Sequence, residues 1–273
     1  MQGSINNKER MVHFRWNYKI SGSSQHPRIL FLHGFMGSLQ DWDSIINRLQ
    51  NNYYCLAIDL PGHGRTRNPE TRYSFAEAGA SLIDLLKDIN FSPFSILGYS
   101  LGGRLALYIA LRYPGLVSKV ILESASPGLK SSRQRTIRKL QDETLAIKLV
   151  NSDFNQFLQE WYDQPLFNSL RQHRDFKKLL KERKMNNPEE LAVSLTALST
   201  GKQPSLWDLL SENEIAILLL AGELDLKFRG IARQMSRQCP TCKTKIIKNA
   251  GHNIHFEDPD EFTNICIEFL SDR

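Results

Sequence analysis

The sequence predicts an α/β fold: a mostly parallel twisted sheet flanked by helices, with an inserted helical lid. Three observations predict it. Short, continuous apolar runs at residues 29–32, 54–58, 94–97, 117–122 and 215–221 alternate with stretches of helical spacing. Such runs suit strands buried on both faces of a parallel sheet. Gly98-Tyr99-Ser100-Leu101-Gly102 follows one of these runs and precedes a helix-like stretch at residues 105–113. From Leu129 to about Gly201 the chain turns charged and helix-forming, and strand character resumes only at residue 215. Alternating units interrupted once describe a core of residues 1–128 and 206–273 with an insertion at 129–205.

In order along the chain, Val12-His13-Phe14-Arg15-Trp16-Asn17-Tyr18 alternates as an early antiparallel strand does. Residues 41–49 read as a helix, and Asp59-Leu60-Pro61-Gly62-His63-Gly64 as a turn-rich loop after the strand at 54–58. Helical spacing returns at 75–89. Ser126-Pro127-Gly128 breaks the pattern before the insertion, in which Leu145, Ile147, Leu149, Phe154, Phe157, Leu158 and Trp161 carry the apolar periodicity. A short strand at 245–247 and an amphipathic helix at 259–270 close the chain.

At 273 residues the chain suits one large domain or one domain with an insertion. Hydrophobic residues at 41% and charged residues at 23% place it among globular proteins. No run approaches the ~18 apolar residues of a membrane span, and the polar first ten residues lack the apolar core of a secretory signal. The expectation is a cytoplasmic protein without a membrane span. Of the four cysteines, Cys239-Pro240-Thr241-Cys242 has redox-motif spacing but precedes a strand, and no second pair completes a zinc set. No metal and no cofactor are expected. The net charge of +6 is concentrated in the insertion, where residues 129–205 hold 14 Lys and Arg against 9 Asp and Glu. No basic run is interleaved with aromatics, so a nucleic-acid partner is not expected. A pocket wall for an anionic small molecule and a solvated helical face remain.

The strand, sharp turn and helix around Ser100 are the setting in which Gly-x-Ser-x-Gly acts as a nucleophile elbow. A serine hydroxyl needs an adjacent imidazole to take its proton, and the imidazole needs a carboxylate to orient it. Asp225 follows the strand at 215–221, and His252 follows that at 245–247, giving the order Ser, acid, His found in α/β-hydrolases. Ser100, Asp225 and His252 are the candidate triad. Glu223 is the rival acid, and His255 the rival base. The backbone N–H groups of Phe35, in His33-Gly34-Phe35, and of Leu101 are placed to form an oxyanion hole.

More selective stretches carry a resemblance over nearly the whole chain. They are Leu32-His33-Gly34-Phe35-Met36-Gly37-Ser38 with Asp41-Trp42; Gly98-Tyr99-Ser100-Leu101-Gly102-Gly103-Arg104; Ser126-Pro127-Gly128-Leu129; Trp161-Tyr162-Asp163-Gln164-Pro165-Leu166-Phe167; Gly222-Glu223-Leu224-Asp225-Leu226-Lys227-Phe228; and Ala250-Gly251-His252-Asn253-Ile254-His255-Phe256-Glu257. Together they resemble the 2-succinyl-6-hydroxy-2,4-cyclohexadiene-1-carboxylate synthases of menaquinone and phylloquinone biosynthesis, in the α/β-hydrolase superfamily. Thr66 stands where that family more often has Ser, and the stretch before Arg138 is unusually basic.

The resemblance implies a lyase that removes a ring proton from 2-succinyl-5-enolpyruvyl-6-hydroxy-3-cyclohexene-1-carboxylate and expels pyruvate, with Ser100 as base. It implies a tricarboxylate substrate bound by Arg104, Arg138 and Arg183, with Tyr99 and Trp161 as wall. Lys227 and Phe228 stand behind them. The competing readings are a serine carboxylesterase, thioesterase or C–C bond hydrolase acting on an anionic small molecule, and a ligand receptor on the same scaffold. No sequence feature selects monomer over homo-oligomer.

Overall fold

Each apolar run forms a strand of one seven-stranded sheet in the computed structural model, which describes residues 14–67 and 72–272. The strands are β1 (Tyr18–Ser21), β2 (Arg28–Leu32), β3 (Tyr54–Ile58), β4 (Phe94–Tyr99), β5 (Val117–Glu123), β6 (Ala216–Gly222) and β7 (Cys242–Ile247). Their order is β1-β3-β2-β4-β5-β6-β7; β1 runs antiparallel to β3 at one edge, and the other pairings are parallel. Successive side chains on a strand point to opposite faces. Leu30, Leu32, Leu56, Ile58 and Ile96 therefore fill one core, while Ile29, Phe31, Cys55, Ala57 and Leu97 fill the other. Continuous apolarity is what two buried faces require.

The early antiparallel strand lies later than the alternation at 12–18 predicts. Of that stretch, Val12 and His13 lie outside the described residues, as does the polar start. Phe14 and Trp16 instead pack as an aromatic pair, 5.2 Å between centroids, with Phe14 also edge-on to Tyr73.

Helices α1 (Asp43–Leu49), α2 (Phe75–Asp88) and α3 (Leu101–Arg112) connect the first strands. A capping box explains where α2 begins: the Ser74 hydroxyl accepts from Glu77 N–H and the Glu77 carboxylate accepts from Ser74 N–H. Between β5 and β6 lie α4 (Ser132–Asn151), α5 (Phe154–Tyr162), α6 (Asn168–Gln172), α7 (Phe176–Arg183) and α8 (Pro188–Ala197). They have their own core, built on Leu149, Phe157, Leu158, Tyr162, Phe167 and Leu191, into which Met36 of the loop after β2 reaches. Helix α9 (Leu226–Gln238) links β6 to β7, and α10 (Ile254–Glu257) and α11 (Pro259–Ser271) end the chain.

Helix α9 has no counterpart in the sequence reading. Its buried face consists of Ala232 and Met235, while Leu226 is 74% exposed, so the apolar periodicity is faint. Strand β7 starts earlier than the residues at 245–247 indicate. Cys242 opens it and Cys239 caps α9, so the two thiols bracket a tight turn closed by Cys242 N–H on the Cys239 carbonyl at 3.1 Å. All four cysteines are free thiols.

Candidate active site

Ser100 stands between β4 and α3 with φ 49° and ψ −104°, a left-handed conformation unusual for a side chain with a Cβ. Neighbouring glycines make the turn possible. A Cβ on Gly98 would lie 2.5 Å from the Gly102 carbonyl oxygen, and one on Gly102 would lie 2.2 Å from the Leu32 carbonyl oxygen. The elbow is thus pressed against the end of β2, and Ser100 N–H donates to the Glu123 carbonyl at 2.9 Å.

His252 Nε2 lies 3.3 Å from Ser100 Oγ, and its Nδ1 lies 2.7 Å from Asp225 Oδ2. Asp225 is buried, and its Oδ1 also accepts from Phe228 N–H at 3.1 Å, capping α9. The cap orients the carboxylate by a backbone contact independent of the histidine. Both rivals are engaged elsewhere. Glu223 accepts from Asn249 N–H at 3.1 Å, and His255 Nδ1 lies 2.6 Å from Glu123 Oε2.

The loop after β2 is held from beneath. His33 Nε2 accepts from Leu60 N–H at 2.9 Å, which leaves Nδ1 protonated to donate to the Gly34 carbonyl at 2.7 Å. Burial lowers the His33 pKa, against the opposing pull of Asp41 and Asp59, in keeping with this neutral tautomer. After β2, Gly37 N–H donates to the Gly34 carbonyl at 3.0 Å and Leu39 N–H to Asp59 Oδ1 at 2.8 Å, while Gly102 N–H at the start of α3 donates to the His33 carbonyl at 3.1 Å. Phe35, Ser100, Leu101 and His252 all line one cavity of about 480 Å³.

The rest of that cavity is cationic. Arg104, Lys130, Arg138 and Lys227 line it against one carboxylate, Asp142, a surplus of three positive charges. Arg104 is held by neutral acceptors, donating through Nη1 to Gln203 Oε1 at 3.0 Å and through Nη2 to the Leu198 carbonyl at 2.8 Å. Burial, and then Arg138, push its pKa down to about 9, with Asp142 opposing. The group remains charged at neutral pH, without a carboxylate of its own. Arg138 donates through Nε to Asp142 Oδ1 at 2.8 Å and is about one-third exposed. Lys227 is lowered by burial and then by Arg138, with Asp225 opposing. Lys130 Nζ sits 4.0 Å from the Trp207 ring centroid. Trp161 forms wall, 5.2 Å from Phe35.

Two expected binding residues lie elsewhere. Arg183 is 4% exposed and does not line the cavity; its fork grips Asp41 bidentately, Nη1 to Oδ1 at 2.7 Å and Nη2 to Oδ2 at 2.8 Å, while Nε donates to Tyr162 Oη at 3.3 Å. Burial opposes its charge, but Asp41 and Tyr162 outweigh burial and raise its pKa. Three of its five N–H donors, including both arms of the fork, are thus committed within the protein. Tyr99 is not cavity wall either. Its ring lies beneath Gly34, with centroids 5.4 Å from His252 and 5.0 Å from His255. Conversely, Lys130, Asp142 and Gln203 face the site or hold its residues, and no sequence motif points to them. The elevated positive charge of the insertion is the only signal for the first.

Residues 27–259 match the model of the alpha/beta hydrolase fold family, and the chain belongs to that family. The chain is 34% identical over 233 residues to the 2-succinyl-6-hydroxy-2,4-cyclohexadiene-1-carboxylate synthase of Escherichia coli O1:K1 / APEC, covering 85% of this chain and 89% of that one. The solved structure of MenH from S. aureus superposes with a TM-score of 0.88 at 33% identity, covering 95% and 98% of the two chains. Within the fold family, the chain is a member of the 2-succinyl-6-hydroxy-2,4-cyclohexadiene-1-carboxylate synthases. It is also 34% identical over 264 residues to Protein PHYLLO, chloroplastic, of Arabidopsis thaliana, where it spans only 15% of the longer protein.

Proposed function

We propose that this chain eliminates pyruvate from 2-succinyl-5-enolpyruvyl-6-hydroxy-3-cyclohexene-1-carboxylate, giving 2-succinyl-6-hydroxy-2,4-cyclohexadiene-1-carboxylate. Ser100 Oγ, its proton drawn by His252 Nε2, takes the ring proton beside the succinyl carbonyl; that electron pair forms the 2,3 double bond, the ring 3,4 double bond shifts to 4,5, and the enolpyruvyl C–O bond at ring carbon 5 breaks. The proton taken passes to the leaving group through the same serine and histidine. Asp225 fixes the imidazole tautomer and stabilises its cation. The N–H groups of Phe35 and Leu101 stabilise negative charge gathering on the succinyl carbonyl as the proton leaves.

One observation carries this reading over a simple esterase: the cavity that holds Ser100 and His252 is lined by four cations, the half-buried Arg104 and Arg138 and the exposed Lys130 and Lys227, against one carboxylate, and the substrate carries three carboxylates. Arg104, Arg138 and Lys227 are the residues proposed to meet them, with Lys130 at the rim and Trp161 as wall. A neutral ester would make no use of that positive surplus and would leave Arg104 with neutral partners alone. Residues 129–205 form the lid over residues 1–128 and 206–273, and supply Lys130, Arg138 and Trp161 to the site. The compartment in which the protein works is proposed to be the cytoplasm; among the described residues no helix is long and apolar enough to cross a membrane.

The test is substrate-dependent pyruvate release by the purified protein beside a panel of neutral esters. Ester cleavage without pyruvate release would replace the lyase by a hydrolase.

A further inference from the structure

We infer that Glu123 is a positioning residue for the proposed base: it ties the turn that carries Ser100 to the loop that carries His252, with His255 as the clamp on that tie. The inference rests on the reading of Ser100 and His252 as the proton-abstracting pair.

Glu123 is the last residue of β5 and is fully buried. Its main chain serves the nucleophile, since its carbonyl accepts from Ser100 N–H at 2.9 Å and its place in the sheet is opposite Tyr99. Its side chain serves the base loop. Oε1 accepts from Ile254 N–H at 2.5 Å and His255 N–H at 3.1 Å, and Oε2 accepts from His255 Nδ1 at 2.6 Å. The His255 ring is fixed in turn by stacking on Trp42, 4.3 Å between centroids and 28° between planes.

A second, half-buried acid grips the other side of His252. Glu257 accepts from Gly251 N–H at 2.8 Å and from Asn253 N–H at 3.4 Å, and is also hydrogen-bonded to Ser169 of α6. The four N–H groups at 251, 253, 254 and 255 are thus all satisfied by two carboxylates, so the loop has little freedom to tilt the imidazole. The Tyr99 ring packs against both histidine rings, 5.4 Å from His252 and 5.0 Å from His255 between centroids.

Packing alone does not account for a carboxylate here. Among the described residues the only ion-pair partner of Glu123 is His255. A well-packed apolar side chain commonly stabilises such a position as well or better. What an apolar residue lacks is three acceptor contacts converging on one short loop, and charge-assisted hydrogen bonds are the strong ones. A displacement of about 1 Å at a reacting group costs on the order of 10²-fold in rate.

The experiment compares Glu123→Gln with wild type by steady-state pyruvate release, thermal unfolding and the low-field proton resonance of the His252–Asp225 hydrogen bond, identified by its loss in Asp225→Asn. The expected result is a kcat lowered about 10- to 100-fold, a KM within about twofold of wild type, and a weakened, broadened resonance. A wild-type kcat at a temperature where the variant is folded would overturn the inference and leave Glu123 a purely structural residue. So would a lowered kcat with an unaltered resonance. If wild type itself releases no pyruvate, the lyase reading fails instead, and the resonance decides alone: an unaltered signal in Glu123→Gln overturns positioning. Should Glu123→Gln not fold, His255→Gln, which spares both backbone bonds to Glu123 and removes only the clamp, is read by the same measurements and judged by the same outcomes.

Discussion

At Asp225 one carboxylate meets two demands, capping α9 through Oδ1 and orienting His252 through Oδ2. The acid was legible in sequence from its place just after a buried strand in the order Ser, acid, His; its capping role was not, because α9 itself was not. The cations proposed to bind substrate divide by what already holds them. Arg138 has spent only Nε on Asp142, so its outer nitrogens are available to a carboxylate. Arg138→Ala is expected to raise KM by about ten- to a hundredfold, the loss of a charge-assisted bond of roughly 1.5–3 kcal/mol, with a smaller change in kcat; steady-state kinetics with an unchanged KM would move Arg138 out of the binding set. Lys227 adds a pH dependence. Its pKa is lowered by burial and then by Arg138, so its contribution to anion binding is complete in the protonated form and is lost as pH rises through that lowered value. KM measured across alkaline pH is expected to rise in wild type, and to start higher but rise less in Lys227→Gln.

Between elements, the insertion is fastened to the core by contacts that sequence spacing does not reveal. Arg183 at the end of α7 locks onto Asp41, and Asn186 Nδ2 donates to the Met36 carbonyl at 2.8 Å, so both grip the loop that presents Phe35. Arg183 sits 142 positions from its partner. Periodicity and motif order carry no information about such a pairing; Arg183 was assigned to the substrate only by its position in the resemblance. Arg183→Ala leaves Asp41 buried and unpaired and is expected to destabilise the fold by about 3–5 kcal/mol, read as a fall in the denaturation midpoint. An unaltered midpoint would mean that the Arg183–Asp41 pair does not hold insertion to core. The five inner strands, in contrast, were legible nearly to the residue, since burial on both faces writes itself as unbroken apolarity, whereas the edge strands β1 and β7 were misplaced or cut short; β3 is read over its full length at residues 54–58. Helix α9 was not, because two small contacts, Ala232 and Met235, seat it against the sheet.

Across the whole molecule, sequence order placed Ser100, Asp225 and His252 at the carboxyl ends of three strands, where a parallel sheet puts variable loops, and the structure brings them within hydrogen-bond reach. The charge of +6 was legible as a quantity but not as a direction. Folding turns part of it inward, where Lys130 and Arg138 of the insertion join Arg104 and Lys227 of the core around one cavity. A hydrolase elbow beside a cation-lined cavity is the combination on which the proposal of proton abstraction from a tricarboxylate, over ester cleavage, rests. The most direct measurement is serine-dependent pyruvate release from the enolpyruvyl substrate, with spontaneous elimination subtracted and neutral esters run in parallel. The structure predicts fast release by wild type, a loss of several orders of magnitude in Ser100→Ala, and poor ester cleavage. Release that survives Ser100→Ala at the wild-type rate would contradict the central claim that this serine is the base.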